Sequence, residues 1–520
     1  MATLYSFGPS PQGLGPKLYK DQQHKAGKGL YRCSHLFVGD STYKVNGSQA
    51  NLHEIARIVF VNNLEGTVSH AGSTRQRLLD QSARILAKGG RDALKVCAVA
   101  EQIAVPIDEA KSFFEDDHDL YIQTSRFLDE RLRVASYEAL DKLPDDATAI
   151  QKLRESAKVY FNLALDNPTH FAAYNNCETA TSFPNFEDGI EESKSFDAFP
   201  PTFRWMLERM REAAIAARGD FDHRLVVIQA LTFLSELQGI THLATFGIMR
   251  HLSPTAKKQT FNACIETLFS GLELSLRDGG IAPFEPLALV GEPAEPFTTA
   301  AKDMPKSTAE EKRAAIFRGA AEEIAYNGLP SLHLGSAAAR AGVDLADAEH
   351  LFDGNSHLLR SLEESLDEAN TLAIMRQNQA VPEGSHGLDY IKATGFGYLE
   401  YALEDPVGFV ALIEVSSRSI VPVSFDESDD TEQPFDMGKA FTFIMNLVRD
   451  AISESNGPRS PWILFTQIAA LWASIHGLSQ LSTVGALRYH SADFYFNLAS
   501  KVMDIVIQGM VNVLELKKPE

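Results

Sequence analysis

The sequence predicts an all-α protein built from two like units in tandem. Residues about 73–282 recur as residues about 311–520 at a constant offset of 238, the distance from Gly90 to Gly328. Apolar side chains within each copy recur at the three- and four-residue spacing of amphipathic helices. The period far exceeds the ~20–50 residues of solenoid repeats, so it indicates duplication of a folded unit and a covalent pseudo-dimer.

The register of the repeat holds along its length without net insertion. Chance identities would need gaps to stay aligned over such a distance. The matched positions lie at both ends and in the middle of the repeat: Gly90 with Gly328, Phe114 with Phe352, Pro168 with Pro406, Gly239 with Gly477, and Arg250 with Arg488.

The composition is that of an ordinary globular chain, with 44% hydrophobic and 22% charged residues among 520. Apolar stretches such as Ile463–Ile475 are interrupted by polar side chains, so we expect no membrane span. The N-terminus shows no apolar core before a cleavage site, so we expect no secretory signal. Four widely spaced cysteines indicate reduced thiols in a cytoplasmic protein, and we expect neither a metal nor a cofactor.

The net charge of −21 disfavours a general attraction to nucleic acid or anionic membranes. Its distribution is uneven, because residues 1–48 carry six basic and two acidic side chains, a local balance of +4. This stretch belongs to a basic extension, residues 1–72, that has no counterpart before the second copy. One interpretation is a flexible or loosely docked tail; the other is an arm that contacts an acidic partner or a phosphate backbone.

Each copy begins with three short predicted helices. Helical spacing and a following glycine predict the first helix, and a short apolar stretch predicts the second. Their ranges are Ser73–Lys88 and Val96–Ile103 in copy one, and Ala309–Tyr326 and Leu334–Ala341 in copy two. The third begins after a tight turn, at Pro106, which suits a first helical position, or at Asp344, which suits an N-cap. This is a helix-turn-helix pattern, and we assign the two heads to residues 73–130 and 309–368.

Longer amphipathic stretches follow each head, and we assign helical bodies to residues 131–282 and 369–520. The stretch between the copies is rich in proline and has little periodicity, which indicates a linker at residues 283–308. The loop Ser416–Gln433 carries five acidic side chains and is interpreted as a solvated acidic loop, since it lacks the ligand periodicity of a calcium site.

Motifs in the heads and bodies point to a known family. Ala87–Leu120 and Ala325–Leu358 share an Ala-x-x-x-Gly step, an apolar-small helix, an Ala-Gly-Val-like turn and an aromatic step before an acidic-to-Leu stretch. Ala402–Pro406 adds an Ala-Leu-x-x-Pro step, and Leu471–Leu478 adds a Trp-containing helix motif. In this order and in duplicate, the motifs resemble the TetR family of one-component repressors over nearly all of residues 73–520.

Typical members of that family are homodimers with a three-helix DNA-binding head, a helical ligand-binding body and a four-helix dimer interface. The resemblance implies that this single chain holds both halves and acts as a monomeric pseudo-dimer. The helices carrying Gly239–Arg250 and Gly477–Arg488 would pack across a pseudo-twofold axis, where small residues permit close approach. It also implies an apolar pocket for a small hydrophobic effector.

The recognition helices depart from the family in both copies. Residues 106–120 hold six acids and one lysine, and residues 344–358 hold four acids with neither lysine nor arginine. Carboxylates repel the phosphates that a DNA-binding helix must approach. We therefore expect weak, salt-dependent DNA binding carried mainly by cations around the first head; the alternative is that these charges form solvated helix faces. The candidate DNA contacts are Arg75, Arg77, Arg91, Lys95, Lys111 and His350.

The candidate effector contacts are aromatic or polar side chains on body helices: Phe233, His242, Trp472 and His476. The alternative for each is a core or interface role. Copy one has Leu234 and Gln238 at the positions of Trp472 and His476, so the two pockets should differ, and we expect a cavity more in copy two. The sequence lacks a phosphate-binding Gly-rich loop with lysine, an HExxH motif and a Gly-x-Ser-x-Gly motif, and we expect no enzyme.

Two functions remain open. The first is a single-chain TetR-like transcriptional regulator, a repressor whose DNA binding responds to a small molecule; the family resemblance favours it, by analogy of fold. The second is a degenerate TetR-like sensor or protein-interaction module whose acidic heads contact a protein and do not bind DNA conventionally. The charge of the recognition helices favours the second. We favour the regulator.

Overall fold

The computed structural model describes residues 43–45, 48–50, 70–175, 199–278, 308–416, 439–453, 460–483, 485–488 and 490–515. Within these ranges the chain is helical apart from a short hairpin, in which β1 (Tyr43–Val45) pairs antiparallel with β2 (Ser48–Ala50). The all-α prediction is confirmed. The rest of the basic extension, most of the predicted linker and nearly all of the acidic loop lie outside the described residues.

The first copy contributes nine helices to the described part of the chain. A 3-10 turn at Ile248–His251 joins the last two. The helices are α1 His70–Ala93, α2 Val96–Gln102, α3 Ile107–Phe113, α4 Asp117–Leu140, α5 Ala149–Asp166, α6 Pro168–Asn175, α7 Pro201–Arg218, α8 His223–Thr245 and α9 Pro254–Asp278.

The second copy repeats that order helix for helix in its own described part, so α10 corresponds to α1 and α18 to α9. A 3-10 turn at Leu329–Ser331 follows the first of them. The helices are α10 Ala309–Asn327, α11 Leu334–Ala341, α12 Leu345–Leu351, α13 Asn355–Gln379, α14 Gly387–Glu404, α15 Pro406–Ser416, α16 Lys439–Ser453, α17 Pro461–Thr483 and α18 Ala492–Val513.

Helix ends in the heads follow the local signals with two differences. Gly328 ends α10 with φ 78°, a conformation that favours glycine. In copy one the chain continues helically past Gly90, which only breaks the helix with φ 62° and ψ −164°. The prediction that Pro106 is the first helical residue was wrong by one position, because its extended ψ of 136° makes it the N-cap of α3. Asp344 is the N-cap of α12, as predicted, although its side chain makes no capping bond.

The two copies meet mainly through four helices. Helix α8 packs along α17, and α9 packs along α18. The helices approach so closely that a Cβ at Gly239 would lie 1.8 Å from the carbonyl oxygen of Ala473, and one at Gly477 would lie 1.8 Å from that of Ser235. Glycine is required there because any side chain would collide with backbone.

The outer helix pair makes the same kind of contact. A Cβ at Gly271 would lie 1.9 Å from the carbonyl oxygen of Ile505, and one at Gly509 would lie 1.9 Å from that of Thr267. Gly271 and Gly509 are separated by the repeat offset, as are Gly239 and Gly477. Equivalent residues of the two copies therefore face each other, with the reciprocity of an isologous contact.

Burial separates α17 from a membrane helix. Its segment Trp462–Thr483 spans 22 residues with a mean hydropathy of 1.2, enough in length and composition to cross a membrane, which the sequence analysis did not expect. However, 78% of it is buried against other helices. Its apolar character is that of a core helix at the centre of the contact between the copies.

An ion pair at equivalent positions differs sharply between the copies. Lys392 Nζ lies 2.7 Å from the Asp504 carboxylate, with side chains only 4% and 1% exposed. Its counterpart, Arg154 with Glu266, has side chains 23% and 63% exposed. Burial raises the pKa of Asp504 to about 6 although Lys392 opposes the shift. Copy two thus holds in its interior a charge pair that copy one leaves at the surface.

Substituting Gly477→Ala should lower the free energy of unfolding by about 3 kcal/mol, because the methyl group overlaps a backbone carbonyl that cannot move without separating α8 from α17. Urea denaturation provides the measurement. The matched control is Gly387→Ala, since a Cβ there meets nothing within 4 Å and its helical position tolerates alanine. Equal effects of the two variants would contradict the packing described.

Substituting Lys392→Met should cost about 3–5 kcal/mol of stability, because it leaves the Asp504 charge buried without its partner. The equivalent Arg154→Met should cost only about 1 kcal/mol, since solvent screens that pair. Both values come from urea denaturation at pH 7. A loss as large in Arg154→Met as in Lys392→Met would mean that burial does not distinguish the pairs.

Candidate functional site

Three of the predicted DNA-contacting cations surround the start of α4. Arg75 donates from Nη2 to Gln123 Oε1 at 2.6 Å, and Lys95 Nζ lies 3.5 Å from the Asp117 carboxylate. Arg91 Nη2 lies 3.0 Å from His118 Nδ1. All three cations remain exposed. These contacts place the three cations beside the N-terminal part of α4; Gln123, the partner of Arg75, also donates to the carbonyl oxygen of Phe113 at the end of the recognition helix α3.

The other three candidates lie apart from that group. Arg77 donates from Nη2 to the carbonyl oxygen of Ile103, at 3.1 Å, in the turn before α3. Lys111 is exposed in the last turn of α3, and His350 is exposed in the last turn of α12. These two are therefore the basic or titratable candidates carried by the recognition helices themselves.

The recognition helices expose acidic and apolar side chains together. Asp108 and Asp344 are exposed at the start of α3 and α12. Beside them Ile107 is 46% exposed and Leu345, its equivalent in copy two, is 49% exposed. The acids were expected from the sequence, but the exposed apolar pair was not. The signal was available, because Ile107 and Leu345 are apolar residues at equivalent positions of the repeat. A solvent-facing aliphatic side chain flanked by carboxylates is poorly suited to contact a phosphate backbone.

One acidic side chain of the second head is neutralised from within. Lys312 of α10 lies 2.6 Å from the Asp347 carboxylate on α12. This pair holds the recognition helix of copy two against its first helix. It also uses a cation that could otherwise contact DNA.

A chain of buried polar side chains crosses the contact between the copies. Tyr160 of α5 donates to Gln238 Oε1 at 2.7 Å, and Gln238 Nε2 lies 3.5 Å from Gln480 Oε1 of copy two. We call this set the glutamine relay. It links the body of copy one to α17 through side chains alone.

Its mirror image uses histidines. Tyr398 Oη lies 3.0 Å from His476 Nδ1, and His476 Nε2 lies 3.0 Å from His242 Nδ1. Tyr398 and His476 are the repeat equivalents of Tyr160 and Gln238, so the same path is built twice with different chemistry. We call this set the histidine relay. It places two of the predicted effector contacts, His242 and His476, in the interface between the copies.

Burial keeps both histidines neutral. It lowers the pKa of His476 to about 3, and it lowers the pKa of His242 well below the usual 6.5, with a further contribution from His476. One hydrogen arrangement satisfies all three groups: Tyr398 donates to His476 Nδ1, and His476 donates from Nε2 to His242 Nδ1. A proton added to either ring would disrupt this arrangement.

A third polar contact joins residues at the same position of the repeat. Ser474 donates to the carboxylate of Glu236, and both side chains are fully buried. Burial raises the pKa of Glu236 well above its usual value, although the serine hydroxyl opposes the shift. The axis between the copies is therefore occupied by a carboxyl group facing a hydroxyl group.

A cavity opens in the body of copy one between α4, α5 and α6. Its empty volume is about 440 Å³ including the open mouth. Its walls are mainly apolar, with a few polar groups, as in small-molecule sites. The residues that line it include Leu128, Arg131, Leu132, Tyr160, Leu163, His170 and Phe171.

The four predicted effector contacts lie elsewhere. Phe233 is buried with its ring centroid 5.7 Å from that of Phe269, and Trp472 packs on Phe441 at 5.6 Å. The cavity lies in copy one, whereas the sequence analysis favoured copy two. That a ligand contacts these four side chains stays a prediction. The cavity reaches the interface through Tyr160, which also belongs to the glutamine relay.

No protein-family model and no curated protein matches the chain. Within the described ranges, the structure shows no group of three or more His, Cys, Asp or Glu side chains placed to hold a metal ion. A functional assignment therefore depends on three features of this chain: its paired heads, the relays between its copies and the cavity of copy one.

Replacing the histidine relay with His242→Gln and His476→Gln, which copies the glutamine relay, should reduce acid sensitivity. The folded pKa values lie below the unfolded 6.5, so the histidines contribute full stability above pH 6.5 and lose it as pH falls toward 3. As the pH falls from about 5.5 to 4, the free energy of unfolding should fall more steeply in the natural protein than in the double variant. The difference in slope should be about 1.4 kcal/mol per pH unit for each histidine.

Urea denaturation at a series of pH values measures this difference. The curves of the two proteins should run parallel above pH 7. Parallel curves from pH 7 down to pH 4 would show that the histidines are not held neutral by burial.

Proposed function

We propose that the chain is a TetR-like transcriptional regulator in which one polypeptide supplies both halves of a repressor dimer. The observation that carries the proposal is the backbone contact of equivalent glycines, Gly239 with Gly477 and Gly271 with Gly509. A family dimer makes such a contact between two chains. Here the contact holds the two helix-turn-helix heads on one covalent body, and the protein acts in the cytoplasm as a monomer.

DNA binding in this proposal comes from phosphate contacts at one side of the first head. Arg75, Arg91 and Lys95 stand exposed around the start of α4, and Arg77 is exposed on α1, where it contacts the turn before α3. Since carboxylates occupy the starts of α3 and α12, base readout by those helices contributes little. Affinity should therefore depend strongly on salt.

Effector control enters through the cavity of copy one. Tyr160 lines the cavity and donates to Gln238, which reaches Gln480 of the other copy. A small hydrophobic molecule in contact with Tyr160 would act on the helices that hold the two heads together. The relay thus supports a sensor role by a continuous set of contacts.

Reversing three cations with Arg75→Glu, Arg77→Glu and Arg91→Glu should abolish binding to the DNA that flanks the protein's own gene. Any binding that remains at low salt should have a dependence of log affinity on log salt flattened by up to about 3, because up to three phosphate contacts are lost; fluorescence anisotropy between about 50 and 200 mM salt measures it. The matched control reverses three exposed cations of the body, Lys142, Lys158 and Lys258.

The control carries the same change in net charge, so it should weaken binding only through the general field. If the two triple variants lose DNA affinity equally, the DNA-binding site is not at the first head. If the natural protein binds no genomic DNA fragment, the proposed function as a DNA-binding regulator is wrong.

A second function is favoured by one observation, the exposed Ile107 and Leu345 flanked by Asp108 and Asp344. In this alternative the heads contact a protein with a basic surface and an apolar patch. The substitutions Asp108→Ser and Glu109→Ser decide between the two. They should strengthen DNA binding if α3 approaches phosphates, because like-charge repulsion is removed. Unchanged DNA binding would favour the protein partner.

A further inference from the structure

The positions that line the cavity of copy one are filled differently in copy two. Tyr401 stands in the place of Leu163, and Gly408 stands in the place of His170. A Cβ at Gly408 would lie 2.9 Å from the Tyr401 hydroxyl and 2.3 Å from the Asp405 carboxylate. Tyr401 is buried. The space that His170 borders in copy one is thus occupied by protein atoms in copy two.

His170 lines the cavity of copy one and carries a hydrogen-bond acceptor that no described protein group satisfies. Its Nε2 lies 3.4 Å from the Asp80 carboxylate, which favours a hydrogen on that nitrogen. Burial, aided by Arg131, lowers the pKa of the ring, so it is neutral at pH 7. Nδ1 is then an acceptor, and it is buried with no hydrogen-bond partner among the described residues. A ligand that donates a hydrogen bond would satisfy it.

The rest of the cavity selects for an apolar body. Leu128, Leu132 and Phe171 form its walls, and Phe127 stacks edge-on against His170 at 6.2 Å. A carboxylate ligand has no hydrogen to donate to Nδ1, and Arg131, the cation that lines the cavity, already pairs with Asp80 at 3.5 Å. The chemistry that fits is a small aromatic or aliphatic ring bearing one hydroxyl or N–H group.

We propose that each chain binds one small apolar molecule with a single hydrogen-bond donor, a phenol or an aromatic alcohol, in the cavity of copy one. The donor contacts His170 Nδ1, and the ring packs between α4 and α6. Copy two binds none, because Tyr401 fills the equivalent space. The site stands on its own geometry and rests on the proposed function only for its role in regulation.

The ligand reaches the other copy through Tyr160. This side chain lines the cavity and donates to Gln238, so occupancy of the cavity changes the environment of the glutamine relay. The histidine relay begins at Tyr398 of copy two, and the equivalent cavity in that copy is filled. Only copy one therefore binds the ligand, and copy two contributes the helix α17, whose Gln480 contacts the glutamine relay.

Titration calorimetry of the full chain with phenol, anisole and benzoate tests the site. Anisole keeps the ring and lacks the donor, and benzoate replaces the donor with an anion. Phenol should bind with one site per chain, about five- to tenfold tighter than anisole, and benzoate should not bind. Two phenol sites per chain, equal affinity for phenol and anisole, or no saturable binding of phenol would each overturn the proposal.

Three variants locate the site. His170→Phe keeps a ring and removes the acceptor, so the preference for phenol over anisole should disappear. Leu163→Tyr copies copy two and should abolish binding, with thermal unfolding by circular dichroism as the check that it folds. Tyr401→Phe, the control in copy two, should leave binding unchanged. Retained selectivity in His170→Phe, or loss of binding in Tyr401→Phe, would place the ligand elsewhere.

These measurements contain no DNA, so they separate the site from the regulator. If the chain binds phenol as described and binds no DNA, the ligand site is supported and the proposed function is wrong. If it binds DNA and not phenol, only the ligand site is wrong.

Discussion

The structure depends on a contact between backbones. At Gly239 and Gly477 the helices α8 and α17 lie so close that no side chain can be inserted. Such a contact fixes the rotation and the axial register of both helices, because a slip of one residue would put a side chain onto a carbonyl oxygen. Each relay owes its geometry to this register. Gln238 meets Gln480, and His476 meets His242, only when the glycines are opposite each other.

The two copies share a scaffold and differ in what they do with it. Copy two has buried its ion pair, Lys392 with Asp504, and has filled its cavity with Tyr401. Copy one keeps the equivalent charges at the surface and keeps its cavity open. In the proposed regulator, only copy one would need to hold a ligand, because its cavity contacts the shared interface through Tyr160. Copy two could then be packed more fully.

Helix positions could be predicted from sequence because their signals are local. The predicted Leu334–Ala341 coincides with α11, and Asp344 occupies the predicted N-cap position of α12. The relay pairings could not be predicted, since they join residues 78 to 242 positions apart and depend on how helices rotate against each other.

The location of the cavity could not be predicted from the sequence either. It depends on two differences in side-chain volume, Leu163 against Tyr401 and His170 against Gly408, which the repeat alignment contains but cannot rank among many other differences. The exposed Ile107 and Leu345 were readable from the same alignment. They were overlooked because the neighbouring carboxylates dominated the interpretation of those helices.

Glu236 and Ser474 occupy the same position of the repeat and face each other at the axis. In a homodimer of copy one, that position would bring two buried carboxyl groups together, and in a homodimer of copy two it would bring two serines together. The first arrangement is repulsive whenever both groups ionise. The fused chain avoids that repulsion, because the second half places the hydroxyl group of Ser474 opposite the carboxyl group of Glu236. Fusion has released this interface from the requirement of self-complementarity that constrains every symmetric dimer.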